Sequence, residues 1–283
     1  MKTLGALLAA AALGACTAGS DVPGGPGGGG GGSTDGIPEA LSKNLNAAVY
    51  NPRNQTLTVE LQSLDASPFT ATYTRNAALD VNGYEAYEVS ETSRQRHFVA
   101  LFKTSARGTV SAGVVADGGK NNRYFNGGIY SRVSLYTAPT SGLASYVGSY
   151  AGLILYNGGT TGVPPVRVSG KTEITADFSD SFIEGNVTNR KFEGGALPGR
   201  PPLEDIALTV TPIADGTFAG TVEFIGAPDQ TIGDYGGTFG GNNASDVAGI
   251  LVFDPISGNS GVHETGVFVL PRCGTAGDAP ACP

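Results

Sequence analysis

The side chains able to do chemistry are few and scattered. His97 heads an apolar run and His263 opens another, and neither has a second His or a Cys at metal-ligand spacing. Both therefore read as strand-surface or core residues. Asp177 and Asp180 flank Phe178 and invite a paired-carboxylate reading, but a turn between two strands accounts for them equally well. Asp234 and Asp246 are likewise close to turns, and a glycosidase would need a cleft between its carboxylates. Gly258-Asn259-Ser260-Gly261 lacks the strand–elbow–helix context that activates a serine. In Asp117–Asn122, Gly118-Gly119-Lys120 breaks the alternate oxygens of a calcium loop. The expectation is a protein that is not an enzyme, with no catalytic residues, metal or cofactor.

Aromatic and cationic residues offer a better lead. Arg123, Tyr124, Phe125, Tyr130 and Arg132 stand together between two Asn-Gly-rich turns. Tyr and Arg are favoured where proteins grip partners, so these five are the candidate partner-contact residues. The competing reading has them packing one sheet against another.

Three cysteines divide into two groups. Cys273 and Cys282 lie near the C-terminus with Pro and Gly between them, and in an oxidising compartment they most simply form a disulfide. Closing so short a loop is worth about 2.5–3 kcal/mol in the chain-entropy model, an effect local to the tail. Cys16 ends a different pattern. Lys2 supplies a positive start, and Leu4 to Ala12 form an apolar run too short for a membrane span of roughly 20 residues. Leu13-Gly14-Ala15-Cys16 then resembles the lipobox of bacterial lipoproteins. That resemblance implies cleavage before Cys16, which would carry a diacylglyceryl thioether and an N-acyl chain such as palmitate. One acyl chain binds a bilayer with a constant of about 10⁴ M⁻¹, so three hold essentially permanently. Thr17, where an Asp would suggest inner-membrane retention, favours the outer membrane.

Composition agrees with that address. Charged residues make up 15% of 283, Gly reaches 44 and Trp is absent, which suits an extracytoplasmic β protein. The net charge of −8 is spread along the chain and argues against nucleic acid as a partner. Arg94, Arg96, Lys103 and Arg107 form the densest basic stretch and read as an ordinary solvated strand face.

The elements that would position these residues are strands. Residues 1–15 read as the signal peptide, and 16–46 as a flexible Gly/Ser/Pro tether without apolar periodicity. Residues 47–142 are strand-rich and predict a smaller antiparallel handle sheet. Residues 143–270 hold eight alternating segments punctuated by turn residues: Tyr146–Ile154, Val166–Asp177, Ser181–Thr188, Ile206–Ile213, Thr217–Phe224, Gly233–Gly241, Asp246–Phe253 and His263–Leu270. Large and small residues alternate on one face, as in Tyr146, Gly148, Tyr150, Gly152 and Ile154, which suits the taper of a small closed barrel. The fold expected is all-β, with a C-terminal eight-stranded antiparallel up-and-down barrel and a tail at 271–283.

Several of these segments resemble the β-barrel of the transferrin-binding-protein B-like surface lipoproteins. The likeness is carried by Tyr146-Val147-Gly148-Ser149-Tyr150-Ala151-Gly152, Ile183-Glu184-Gly185-Asn186-Val187, Gly236-Gly237-Thr238-Phe239-Gly240-Gly241 and the closing Thr265-Gly266-Val267-Phe268-Val269. It implies a handle-plus-barrel unit on a lipid-anchored, non-catalytic binder that captures a protein or an iron or haem ligand. The contact loops of that family vary, so no binding residue carries over by position, and one unit in place of two lobes departs from its transferrin receptors. The rival readings are a structural envelope lipoprotein with no soluble ligand and an integral outer-membrane barrel. The last is disfavoured because Thr217, Ala219, Thr221 and Glu223 share one face and Phe218, Gly220, Val222 and Phe224 the other, and lipid disfavours the charged face. The chain is expected at the outer membrane, at the cell surface or else on the periplasmic face.

Overall fold

The computed structural model describes residues 31–62, 68–91, 96–118, 124–140, 142–156, 164–193, 202–253, 262–275, 277, 279–280 and 282. Cys16, Arg123, the signal peptide and the tether as far as residue 30 lie outside the described residues.

Two antiparallel sheets of eight strands each make up the structure. The handle sheet runs in chain order through β1 (Gly31–Ser33), β2 (Leu45–Asn51), β3 (Thr56–Leu61), β4 (Phe69–Arg75), β5 (Glu85–Glu91), β6 (Arg96–Thr104), β7 (Val110–Asp117) and β8 (Asn126–Arg132). A one-turn helix, α1 (Glu39–Ser42), joins β1 to β2. The second sheet comprises β9 (Leu143–Tyr156), β10 (Val166–Asp177), β11 (Phe182–Phe192), β12 (Ile206–Pro212), β13 (Thr217–Phe224), β14 (Ala227–Gly240), β15 (Asp246–Phe253) and β16 (Val262–Pro271). Each strand pairs with its successor, and β16 pairs back onto β9 to close the barrel. All eight segments expected of the barrel are strands of it.

Alternation decides what the barrel buries. Tyr146, Tyr150 and Ile154 of β9 point inward and join Phe218, Val222, Phe239, Phe268 and Leu270 in one core. Ala151, Leu153 and Leu155, one position out of step, point outward into a second core. That second core is the seam with the handle. It holds Ile250, Val252, Val267 and Val269 from β15 and β16 against Tyr84, Leu101, Val110 and Val114. Strands buried on both faces read as continuous apolar runs, as in Val247–Phe253. On the open side Thr217 and Ala219 of β13 are exposed while Phe218 and Val222 are buried, in the sense their alternation requires.

Three expectations need correction. The tether was expected to reach residue 46, yet the fold reaches back to Gly31, which pairs with Val49, and Leu41 of α1 is 1% exposed in the seam. Two buried leucines, Leu41 and Leu45, suffice to anchor a stretch whose composition is otherwise that of a linker. The handle is not the smaller sheet by strand number, because β1, β2 and β5 add to the strands legible in its sequence. It also curls nearly shut: the Asn44 N–H donates to the Asn126 carbonyl at 3.0 Å, bridging the start of β2 to β8.

The third correction concerns the basic stretch. Arg96 is buried against Asp117, with its guanidinium 4.8 Å from the Phe125 ring centre. Lys103 lies over the Tyr84 ring at 4.7 Å and donates to Ser149 Oγ, and burial lowers its pKa. Arg107 donates to Asp246 Oδ1 at 3.0 Å across the seam. These cations are tied into the structure because long aliphatic stems can bury while their heads find partners.

The phenols inside the fold give a pH signature. Burial pushes Tyr130 and Tyr235 up to about 12 from an ordinary 10.0. Unfolding returns them to the ordinary value, so their contribution to stability is complete below pH 10.0 and is lost as the pH rises through about 12. The urea midpoint should fall across that window, and Tyr130→Phe should remove part of the fall.

Candidate ligand-contact site

Strand alternation splits the candidate contact cluster. Tyr124 precedes β8 on the barrel-facing side, followed by Asn126, Gly128, Tyr130 and Arg132. Asn126 Nδ2 donates to Thr265 Oγ1 at 3.0 Å, and a Cβ at Gly128 would lie 2.7 Å from Ile250. Tyr130 packs into the seam. Arg132 donates to the Phe239 carbonyl at 2.8 Å, to the Asp215 carbonyl at 2.9 Å and to Thr238 Oγ1 at 2.9 Å, and stacks 4.7 Å over Tyr136. Phe125 faces the other way, into the handle core beside Phe98. Neighbouring positions of one strand thus serve two cores, and Tyr130, Arg132 and Phe125 act as packing and clamp residues. Arg132→Ala should destabilise the fold by about 1.5–3 kcal/mol, the worth of hydrogen bonds from a charged donor, as read by thermal unfolding.

Tyr124 is the member placed to meet a ligand. Its ring stacks on His263 at 4.2 Å between centres, and its hydroxyl lies 3.2 Å from His263 Nδ1. Beside it opens a cleft of about 570 Å³, lined by Glu39, Ala40, Lys43, Asn44, Gln62, Tyr124 and Asn126. Glu39 opens α1 and Lys43 ends it, the Lys43 N–H donating to the Glu39 carbonyl at 2.9 Å. Asn44 and Asn126 are fixed by their mutual bonds, with the Asn126 N–H also donating to Asn44 Oδ1 at 3.3 Å. Among the described residues the lining offers one charge of each sign, amide donors and acceptors and one aromatic face, with no nucleophile paired with a base. Such a set suits contact with a polar or peptide-like surface. None of these residues except Tyr124 stood out in the sequence, because α1 and β8 meet only through the curl of the handle.

Other constellations are explained by position. Ser90 Oγ lies 3.2 Å from His97 Nδ1, and Glu88 Oε2 lies 2.8 Å from His97 Nε2. The order suggests a nucleophile–base–acid row, but Ser90 and His97 are directly opposed positions of the β5–β6 ladder, where such a cross-strand contact is expected of neighbours. Asp177 Oδ1 accepts from the Ser179 N–H at 2.8 Å and the Asp180 N–H at 3.3 Å, which is the turn role expected. Cys273 and Cys282 are joined in a disulfide.

Sequence reading missed a buried ionic group inside the barrel. Tyr150 donates to Glu264 Oε1 at 2.5 Å, and Arg190 pairs with Glu264 Oε2, both side chains being fully buried. The Arg190 guanidinium lies 5.4 Å from the Phe253 ring centre and also donates to the Glu204 carbonyl. Burial works against the Arg190 charge, but Glu264 and Tyr150 outweigh it and raise its pKa; burial and Glu264 push the Tyr150 phenol far up. The group lies inside the barrel core, where it ties β9, β11 and β16 together. Among the described residues no group of three or more His, Cys, Asp or Glu could hold a metal ion, and no helix is long and apolar enough to cross a membrane.

Fold and site together define an all-β protein with a side-chain-filled barrel, a curled handle and a mixed polar cleft beside their seam. No protein-family model matches the chain, and no curated protein does. Solved structures similar to it include intact Ap-TbpB with its N and C lobes, at 12% identity and TM-score 0.41, covering 82% of this chain and 55% of that one. A variant of the vaccine antigen transferrin-binding protein B from Haemophilus parasuis Hp5 also matches at 12% and 0.41, covering 81% and 53%. The isotype 1 transferrin-binding protein B from serogroup B Neisseria meningitidis matches at 19% and 0.41, covering 81% and 52%. The chain spans about half the length of these structures.

Proposed function

We propose that the chain is a lipid-anchored, non-catalytic binding protein of the outer membrane, acylated at Cys16 and displayed at the cell surface. It captures a protein, or an iron- or haem-bearing ligand, as an accessory to uptake or surface interaction. The observation that carries this reading is where the barrel keeps its apolar faces: inward in its own core or under the handle. Among the described residues such a barrel turns no apolar band outward to lipid, which favours attachment through Leu13-Gly14-Ala15-Cys16. The filled interior leaves the outer surfaces for binding, and the cleft beside Tyr124 is the candidate contact.

Affinity capture from host serum and culture medium tests the reading, with the Lys43→Glu, Tyr124→Ala double variant in parallel. One partner or haem should be retained by the parent protein and lost from the variant. Specific retention of nothing, or equal retention by both, would count against it.

A further inference from the structure

The two ends of the molecule differ. At one end β10–β11, β12–β13 and β14–β15 are joined by short turns, and residues 133–140 cross the barrel mouth between them. Tyr136 bridges to Gly241, Thr137 exchanges backbone bonds with Gly241 and Ala244, and Gly142 bonds to Phe178 and Ser179 of the β10–β11 turn. Tyr136 turns its ring toward the barrel core, whereas its neighbour Leu135 is 88% exposed. Leu143 and Phe182 flank it on the rim, 69% and 44% exposed, aligned through Asp177, which pairs with both. Among the described residues seven large apolar side chains are exposed. Val49, Val133, Leu135, Leu143, Phe182 and Val210 lie at or toward this end, and Ile225 lies at the other.

The N-terminal segment enters at this same end. Gly31 pairs with Val49, near the Asn51 end of β2, and β1 lies against β8, whose Arg132 end meets the β12–β13 turn. Fourteen residues separate Cys16 from Gly31. In any conformation they reach no further than about 50 Å. Resting on the acylation of Cys16 proposed above, we infer that this strapped end lies against the bilayer, with Leu135, Leu143 and Phe182 dipping into its interface. A few apolar side chains on a polar rim suit shallow, reversible seating rather than insertion. Asp177, Asp180 and Asp215 share this end with Arg107, Arg132 and Arg272, so its charge is mixed and zwitterionic headgroups fit it. This seating turns the opposite end, with Ile225 and the cleft beside Tyr124, away from the membrane.

The chain has no tryptophan, so Leu135→Trp and Ile225→Trp each give a single reporter. Full-length protein, purified from membranes, is reconstituted in vesicles of brominated phosphatidylcholine. Quenching of the residue-135 reporter should exceed that of the residue-225 reporter about twofold or more. Adding Leu143→Asp and Phe182→Asp should abolish the difference, and a reporter in Leu143→Trp should repeat it. Equal quenching at both ends, or none at either, overturns the inference. Quenching that strengthens in phosphatidylglycerol vesicles and survives the aspartate substitutions also overturns it, since headgroup charge would then be the attraction. Acylation is read separately from the mass of the peptide containing Cys16, so an unmodified Cys16 contradicts the proposed anchor while the quenching still decides the contact.

Discussion

Replacing Glu264 by alanine should destabilise the protein by about 3–5 kcal/mol, more than any other single truncation considered, because it strands a buried cation. Arg190 would keep its charge in the barrel with neither solvent nor carboxylate to answer it, and the Tyr150 hydroxyl would lose its acceptor. For a chain of this size such a loss lowers the melting temperature on the order of 10 °C. The joint replacement Arg190→Met, Glu264→Leu should recover most of the loss, since it leaves no buried charge unpaired and only the Tyr150 hydroxyl without its acceptor. Urea unfolding separates the cases, provided the slope is unchanged and only the midpoint moves. A cost below about 1 kcal/mol for Glu264→Ala would mean that water reaches the pair.

Gly266→Ala should also be damaging. A Cβ at Gly266 would overlap the Tyr150 hydroxyl and ring, and at Gly152 it would lie 2.9 Å from Glu264 Oε1. Tyr150 is held against swinging away because its ring is fully buried and its hydroxyl donates to Glu264. Overpacking of this kind costs about 1–3 kcal/mol. In a Tyr150→Val background the same Gly266→Ala substitution should cost little, so the double-mutant cycle should show coupling of about 1 kcal/mol or more. Independent costs would show that the ring does not fill the space over Gly266.

The two halves of this ionic group were unequally readable in the sequence. Glu264 shares the inward parity of β16 with Val262, Phe268 and Leu270, so a charge among core positions was visible there. Arg190 was hidden: Asn189 adopts φ 54° and the β10–β11 register slips between Ser169 and Lys171, which turns inward a side chain that strict alternation sends out. The barrel was legible because most of its strands keep period two between clear turns, a pattern β11 loses only beyond Thr188. The handle was less so. In β5 the residues Glu85, Glu88 and Glu91 mask Ala86 and Tyr87, both fully buried, and β1 is three residues that only pairing defines. The candidate site was half legible: Tyr124 and Arg132 are conspicuous residues, but their division between cleft and clamp depends on the barrel they face.

In the proposed arrangement the acylated N-terminal segment holds the body to its membrane, and the apolar rim adds only a weak, reversible contact. A specific protease site inserted within Gly27–Gly30 puts that directly to the test on isolated outer membranes. Cleavage should move a folded fragment containing both sheets into the supernatant and leave the Cys16 peptide in the pellet. A body that stays with the membrane after complete cleavage, or one that is already soluble before it, would contradict the account.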